Sequence, residues 1–149
     1  MPLTNDDIAE LNQLAFRYAA AVDRCDTEGF TAVFSSGARL RSYHPETDQP
    51  FADMKGHEQL ASVPDTMRGM YRSTTHMMTN HLVQGDGAHA TGEVLCTARH
   101  LTSDRQDSLN VIIRYIDRYV RQDGRWLIDD REIHFLWSEK HGVSEKLMG

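Results

Sequence analysis

Residues 74–101 read TTHMMTNHLVQGDGAHATGEVLCTARHL, two β-rich runs, Thr74 to Gln84 and Ala90 to Leu101, on either side of the tight-turn signal Gly85-Asp86-Gly87. Two further runs, Leu109 to Arg121 and Arg125 to Trp137, flank a second signal, Gln122-Asp123-Gly124, and Thr102 to Asp107 is a polar connection. The four runs predict an antiparallel meander. Alternation puts Thr74, His76, Met78, Asn80 and Leu82 on one face of the first strand, and Thr75, Met77, Thr79, His81 and Val83 on the other. On the second strand Ala90, Gly92, Val94, Cys96, Ala98 and His100 share a face whose small and apolar members suit a pocket wall.

Upstream the period changes. Ile8, Leu11, Leu14, Ala15, Tyr18, Ala19, Val22 and Cys25 recur at three-four spacing, which predicts a helix with one buried face. Thr4 with Asp7 can cap its first amides, and Glu10, Gln13, Arg17 and Arg24 line the wet side. Phe30, Ala32, Val33 and Phe34 predict a short second helix before the Ser35-Ser36-Gly37 break. A short strand from Ala38 to Tyr43, a proline-bearing loop from His44 to Ala52, and a helix around His57 to Tyr71 that restarts near Pro64 complete this half. Helices followed by long hairpins predict an α+β fold with the helices on one face of the sheet.

The chain has 149 residues, 40% apolar and 26% charged, which suits a single domain, 1–149. No window is apolar and long enough to cross a bilayer, and a net charge of −6 offers nucleic acid or an anionic membrane little to hold. The opening MPLTNDD lacks the features of an export signal, so the cytoplasm is the expected compartment. Cys25 and Cys96 show no CxxC spacing and read as buried free thiols. His76, His81, His100 and His134 lack metal-site spacing, so no metal is expected. Gly85 to Gly92 imitates a dinucleotide loop but lies in a hairpin with no helix after it.

Among ionisable groups, Asp23 falls beside Phe16 and Ala19 at the margin of the helix's apolar face, where it must be solvated, capped or paired. His76 and His100 point inward from neighbouring strands. An inward histidine is often only structural, but a carboxylate on one imidazole nitrogen fixes the tautomer and leaves the other nitrogen as a base.

Tyr18-Ala-Ala-Ala-Val-Asp23, Thr75-His76-Met-Met-Thr-Asn80, Tyr119-Val-Arg-Gln-Asp-Gly-Arg-Trp126, Arg131 and Trp137 resemble the SnoaL-like branch of the NTF2-like superfamily over nearly the whole chain. Within it the resemblance is to the group of scytalone dehydratase, bile acid 7α-dehydratase and hexachlorocyclohexane dehydrochlorinase. It implies a cone-shaped α+β barrel, a strongly curved antiparallel sheet whose N-terminal helices close a deep apolar pocket. It also implies a cofactor-independent lyase acting on a hydrophobic aromatic or polycyclic small molecule, by dehydration, a related elimination or carbon-carbon cleavage such as formaldehyde loss. Asp23 and His76 would form the acid/base dyad, with Tyr18 and Arg131 as further catalytic groups and His100, Asn80, Met78, Val94 and Cys96 at the substrate. Tyr18, His100 or Arg131 would hydrogen-bond a departing group or an oxyanion. The resemblance further implies a homo-oligomer, with a trimer favoured over a dimer. The full tyrosine set of scytalone dehydratase is not matched. A steroid or polyketide isomerase or cyclase, and a domain that only binds its ligand, are the alternatives.

Overall fold

A computed structural model describes residues 1–144. Helix α1, Asn5–Arg24, opens on the predicted capping box: the Thr4 hydroxyl accepts from the Asp7 amide, and the Asp7 carboxylate accepts from the Thr4 amide. It ends at Cys25 in the left-handed region, φ 53°. Leu11, Leu14, Ala15, Tyr18 and Val22 form its buried face. A six-residue α2, Thr27–Ala32, is capped by Asp26. Then follow β1 (Phe34–Tyr43), β2 (Ala52–Lys55), α3 (Gly56–Leu60), α4 (Val63–Met70), β3 (Ser73–Gly85), β4 (His89–Leu101), β5 (Asp107–Gln122) and β6 (Arg125–Gly142). The expected helix interruption is the gap between α3 and α4, with Pro64 in the first turn of α4.

The six strands make one curved, unclosed sheet in the order β2-β1-β6-β5-β4-β3. The meander β3 to β6 is antiparallel throughout, as its turns predict. Two features differ from expectation. Strand β1 runs parallel to β6, beginning at Phe34 and crossing the Ser35-Ser36-Gly37 break with a register shift. The four-residue β2, too short to show a period, pairs with β1 and leaves β2 and β3 as open edges. None of the described helices is long and apolar enough to cross a membrane.

A third difference concerns β3. Its register with β4 passes from Thr79↔Leu95 to Leu82↔Glu93, two residues against one, and Asn80 at the bulge has φ 49°. Alternation therefore inverts. Thr74, His76 and Met78 face inward before the bulge, His81 and Val83 after it, and Asn80 and Leu82 are exposed. Gly92 pairs with Val83 just beyond the bulge; a Cβ there would stand 2.6 Å from the Leu82 carbonyl oxygen and 3.2 Å from the Tyr119 ring. The close approach of the bulged strand requires glycine at that point.

The core lies between α1 and the concave face, with Leu11, Phe30, Leu40, Val94, Trp126 and Ile128 fully or almost fully buried. Asp7 pins the two together. Its carboxylate accepts from the Trp126 indole N–H and the Arg121 guanidinium, both at 2.9 Å, besides Thr4. The indole bond, then the Thr4 bonds, hold its pKa down from 3.8 to about 2. A depressed carboxylate stabilises the fold above its unfolded pKa and stops doing so as pH falls through the folded one. Urea midpoints should therefore fall more steeply between about pH 4 and 2 in the wild type than in Asp7→Ala, and the variant should be the less stable at pH 7. Parallel pH curves would refute this.

Candidate active site

A cavity of about 560 Å³ opens between α4, the β1–β2 loop and the concave sheet. Burial grades along it. Tyr18, His100 and Tyr115 at its deep end are 3%, 5% and 1% exposed, whereas Phe51, Met70 and Trp137 at its mouth are each more than half exposed. His44 stacks on Phe51, and Phe51 on Phe135, so the proline-bearing loop forms an aromatic rim. Among the described residues its walls carry hydroxyls and imidazoles but no Asp, Glu, Lys or Arg side chain. Among the described residues no three His, Cys, Asp or Glu side chains converge to hold a metal ion.

Asp23, in the last turn of α1, meets the start of β3. Because β3 is an edge strand, the amide of His76 has no strand partner on its outer side, and Asp23 Oδ2 accepts from it at 2.9 Å. Thr74 and His76 share the inward face, so the Thr74 hydroxyl and the His76 ring also reach the carboxylate. Thr74 Oγ1 donates to Oδ1 at 2.9 Å, and His76 Nδ1–H donates to the same oxygen at 2.7 Å. Burial raises the Asp23 pKa, but the His76 ring and amide outweigh it, and the net shift is downward. Asp23 is a carboxylate at neutral pH. With Nδ1 committed, His76 carries its lone pair at Nε2, where it has no partner among the described residues.

His100 sits edge-on to His76, ring centroids 5.7 Å apart, with the Tyr71 ring 4.6 Å from its other side. A carbonyl only accepts, so His100 Nδ1–H donates to Leu109 O at 3.1 Å and Nε2 holds the lone pair. Burial lowers its pKa, with the Leu109 bond opposing and the His76 charge adding. Neutral His100 thus presents Nε2 to the cavity as an acceptor and not as the donor expected of it.

Tyr18 lines the cavity; burial pushes its pKa up to about 12 against the pull of Arg131, so its hydroxyl stays protonated. Arg131 does not line the cavity. It is fully buried, donates through Nε and Nη2 to the Asp117 carboxylate at 2.7 Å each, and lies 4.4 Å from the centroids of both the Tyr18 and Tyr115 rings. The expected direct contact with substrate is replaced by a place behind two tyrosines. Val94 and Cys96 belong to the packed core and Met78 packs against it, none on the cavity wall, because the cavity occupies only the end of the concave face nearest α4. Asn80 is outside altogether, turned away by the bulge.

Sequence reasoning missed Tyr115, Tyr71 and Asp117. Tyr115 shares the inward parity of Val111 and Ile113, a signal present in the sequence. Asp117 and Arg131 are register partners of opposite charge on buried positions of adjacent strands, which becomes visible once the β5–β6 register is known. Tyr71 follows the last turn of α4, where no periodicity reaches.

The sequence profile of the SnoaL-like domain matches residues 4–132. No curated protein matches the chain significantly. Among solved structures, a protein of unknown function with a cystatin-like fold from Nostoc punctiforme is 25% identical, with TM-score 0.74 over 91% of this chain and 95% of that one. A candidate scytalone dehydratase from Novosphingobium aromaticivorans is 19% identical, with TM-score 0.78 over 93% and 89%. Hexachlorocyclohexane dehydrochlorinase LinA-type3 from Novosphingobium barchaimii is 14% identical, with TM-score 0.77 over 97% and 94%. At these identities the likeness is one of fold.

Proposed function

The chain belongs to the SnoaL-like domain family, and on that premise we propose that it is a cofactor-independent lyase that removes a proton from carbon in a small molecule whose hydrophobic ring system enters the cavity. The observation that carries this reading is the 2.7 Å pair of Asp23 and His76, its bare Nε2 belonging to an apolar cavity with no charged wall residue among the described residues. The names of two structural neighbours, a dehydratase and a dehydrochlorinase, agree with an elimination.

His76 Nε2 takes the proton, and Asp23 stabilises the imidazolium and holds the ring in place. The Tyr18 hydroxyl, and that of Tyr115 beside it, are the protonated donors at the deep end, suited to a departing group or a developing oxyanion. The His100 lone pair accepts from a hydroxyl of the substrate and so favours hydroxylated rings over rings without a donor.

The test incubates the protein, His76→Ala and Asp23→Asn in deuterated water with hydroxylated and halogenated aromatic, diaryl and steroid compounds, following products by mass spectrometry. Release of water, halide or formaldehyde by the wild type alone supports the lyase. An isomeric product formed without loss of a group supports an isomerase, a reading favoured by the burial of His76, whose side chain is only 6% exposed and would return the abstracted proton with little exchange for deuterium. Equal binding and no turnover by all three proteins would overturn both enzymatic readings.

A further inference from the structure

Outside the cavity, on the flank of α4 turned toward the end of α1, lies a second hollow of about 420 Å³. It shares Val22, Met67 and Tyr71 with the cavity, so these three side chains form the partition between them. Their surroundings differ in charge. Among the described residues the cavity has no ionic wall residue, whereas the outer groove is lined by Arg68 and Arg72 together with Ser73 and Ser103. Neither arginine has a carboxylate within ion-pair distance among the described residues, unlike Arg39, Arg41, Arg118, Arg121 and Arg131. Asp23 also borders the groove; its carboxylate already accepts from Thr74, the His76 amide and the His76 ring, and the groove sets two guanidinium groups against its one negative charge.

We propose that this groove is an anionic subsite of the same active site: the substrate places its ring system in the apolar cavity and carries a carboxylate, phosphate or sulfonate arm past Tyr71 to Arg68 and Arg72. The proposal rests on the ring-binding reading of the cavity and extends it to the substrate's charge. An anion inside the cavity would forfeit its hydration with no ionic partner, a cost the groove removes by supplying two guanidinium groups and keeping the anion wet. The arm must round a partition one side chain thick, which fixes its length within a few methylenes.

The probes are 2-naphthylalkanoates with tails of two to six carbons and their methyl esters, titrated by calorimetry at low and raised ionic strength. At the tail length that reaches the groove, the carboxylate should bind about tenfold more tightly than its ester at low salt, and the preference should shrink as salt rises. It should vanish in Arg68→Gln/Arg72→Gln and persist in Arg68→Lys/Arg72→Lys, which keeps the charge. Both arginines are exposed, so the variants keep the fold. The proposal is overturned if no tail length shows a carboxylate preference, or if the preference survives the double glutamine variant. Ester binding does not involve the arginines and reports separately on whether the cavity accepts rings.

Discussion

Alanine at position 76 is expected to lower kcat by about 10²–10⁴-fold with little change in ring binding, because a positioned general base contributes that much and the cavity walls remain. Asp23→Asn should be nearly as damaging although it is almost isosteric. Three donors converge on the carboxylate: the Thr74 hydroxyl, the His76 amide and His76 Nδ1–H. An amide NH₂ in place of either oxygen sets a donor against a donor. The side chain must either give up the backbone amide or turn its NH₂ to the ring, and the second choice moves the His76 proton to Nε2, where the base is needed. Loss of the orienting carboxylate at an analogous triad costs about 10⁴-fold. Added imidazole should restore part of the rate to His76→Ala and none to Asp23→Asn, in which the His76 ring still fills the site. An Asp23→Asn enzyme with wild-type kcat would remove the carboxylate from the mechanism.

Asp117→Ala should produce the largest loss of stability available from one polar residue. The Asp117–Arg131 pair is completely buried, and burial by itself lowers the guanidinium's pKa; the charge of Asp117 and its two bonds outweigh this and hold it above the ordinary arginine value. Removing the carboxylate leaves a buried cation without an anionic partner, its Nη1 already unbonded, and reduces the Tyr119 hydroxyl to its bond with the His81 ring. Breaking such a pair costs about 3–5 kcal/mol, which at this chain length lowers Tm by roughly 10 °C. Replacing both partners, Asp117→Leu with Arg131→Met, should recover most of that loss, since desolvation of the ions disappears with them. If the double variant regains its Tm but loses kcat, Arg131 acts by backing Tyr18 and Tyr115, on whose rings it lies. Should the single variant unfold within about 1 kcal/mol of wild type, the pair is not a principal support of the deep end.

What the sequence made legible follows from how far each periodicity extends. A single uninterrupted helical period ran from Ile8 to Cys25, and the cap at Thr4 and Asp7 obeys a local rule, so α1 could be read nearly to its ends. Parity located His76 because the three positions from Thr74 precede any irregularity, and it misplaced Asn80 because one residue at positive φ inverts everything beyond it. The glycine that permits the inversion is on the neighbouring strand, where the β3 sequence alone cannot announce it. Strand β2 and the parallel pairing of β1 with β6 are non-local, decided by which edge of the sheet is free. Arg131 was found as a residue and misread in its contacts for the same reason, since its partner Asp117 becomes its neighbour only through strand register.

Asp23 closes the amide of an edge strand with the same carboxylate that orients the base. The two members of the dyad are therefore unequal under drift. A descendant of this chain that no longer needed catalysis could exchange His76 for another inward residue and leave the β3–α1 junction bonded through Thr74 and the backbone. Exchanging Asp23 would open that junction and bare a backbone donor on the sheet's margin. In a lineage sliding from enzyme to binding protein, the histidine should disappear first and the aspartate should outlive the activity it once served.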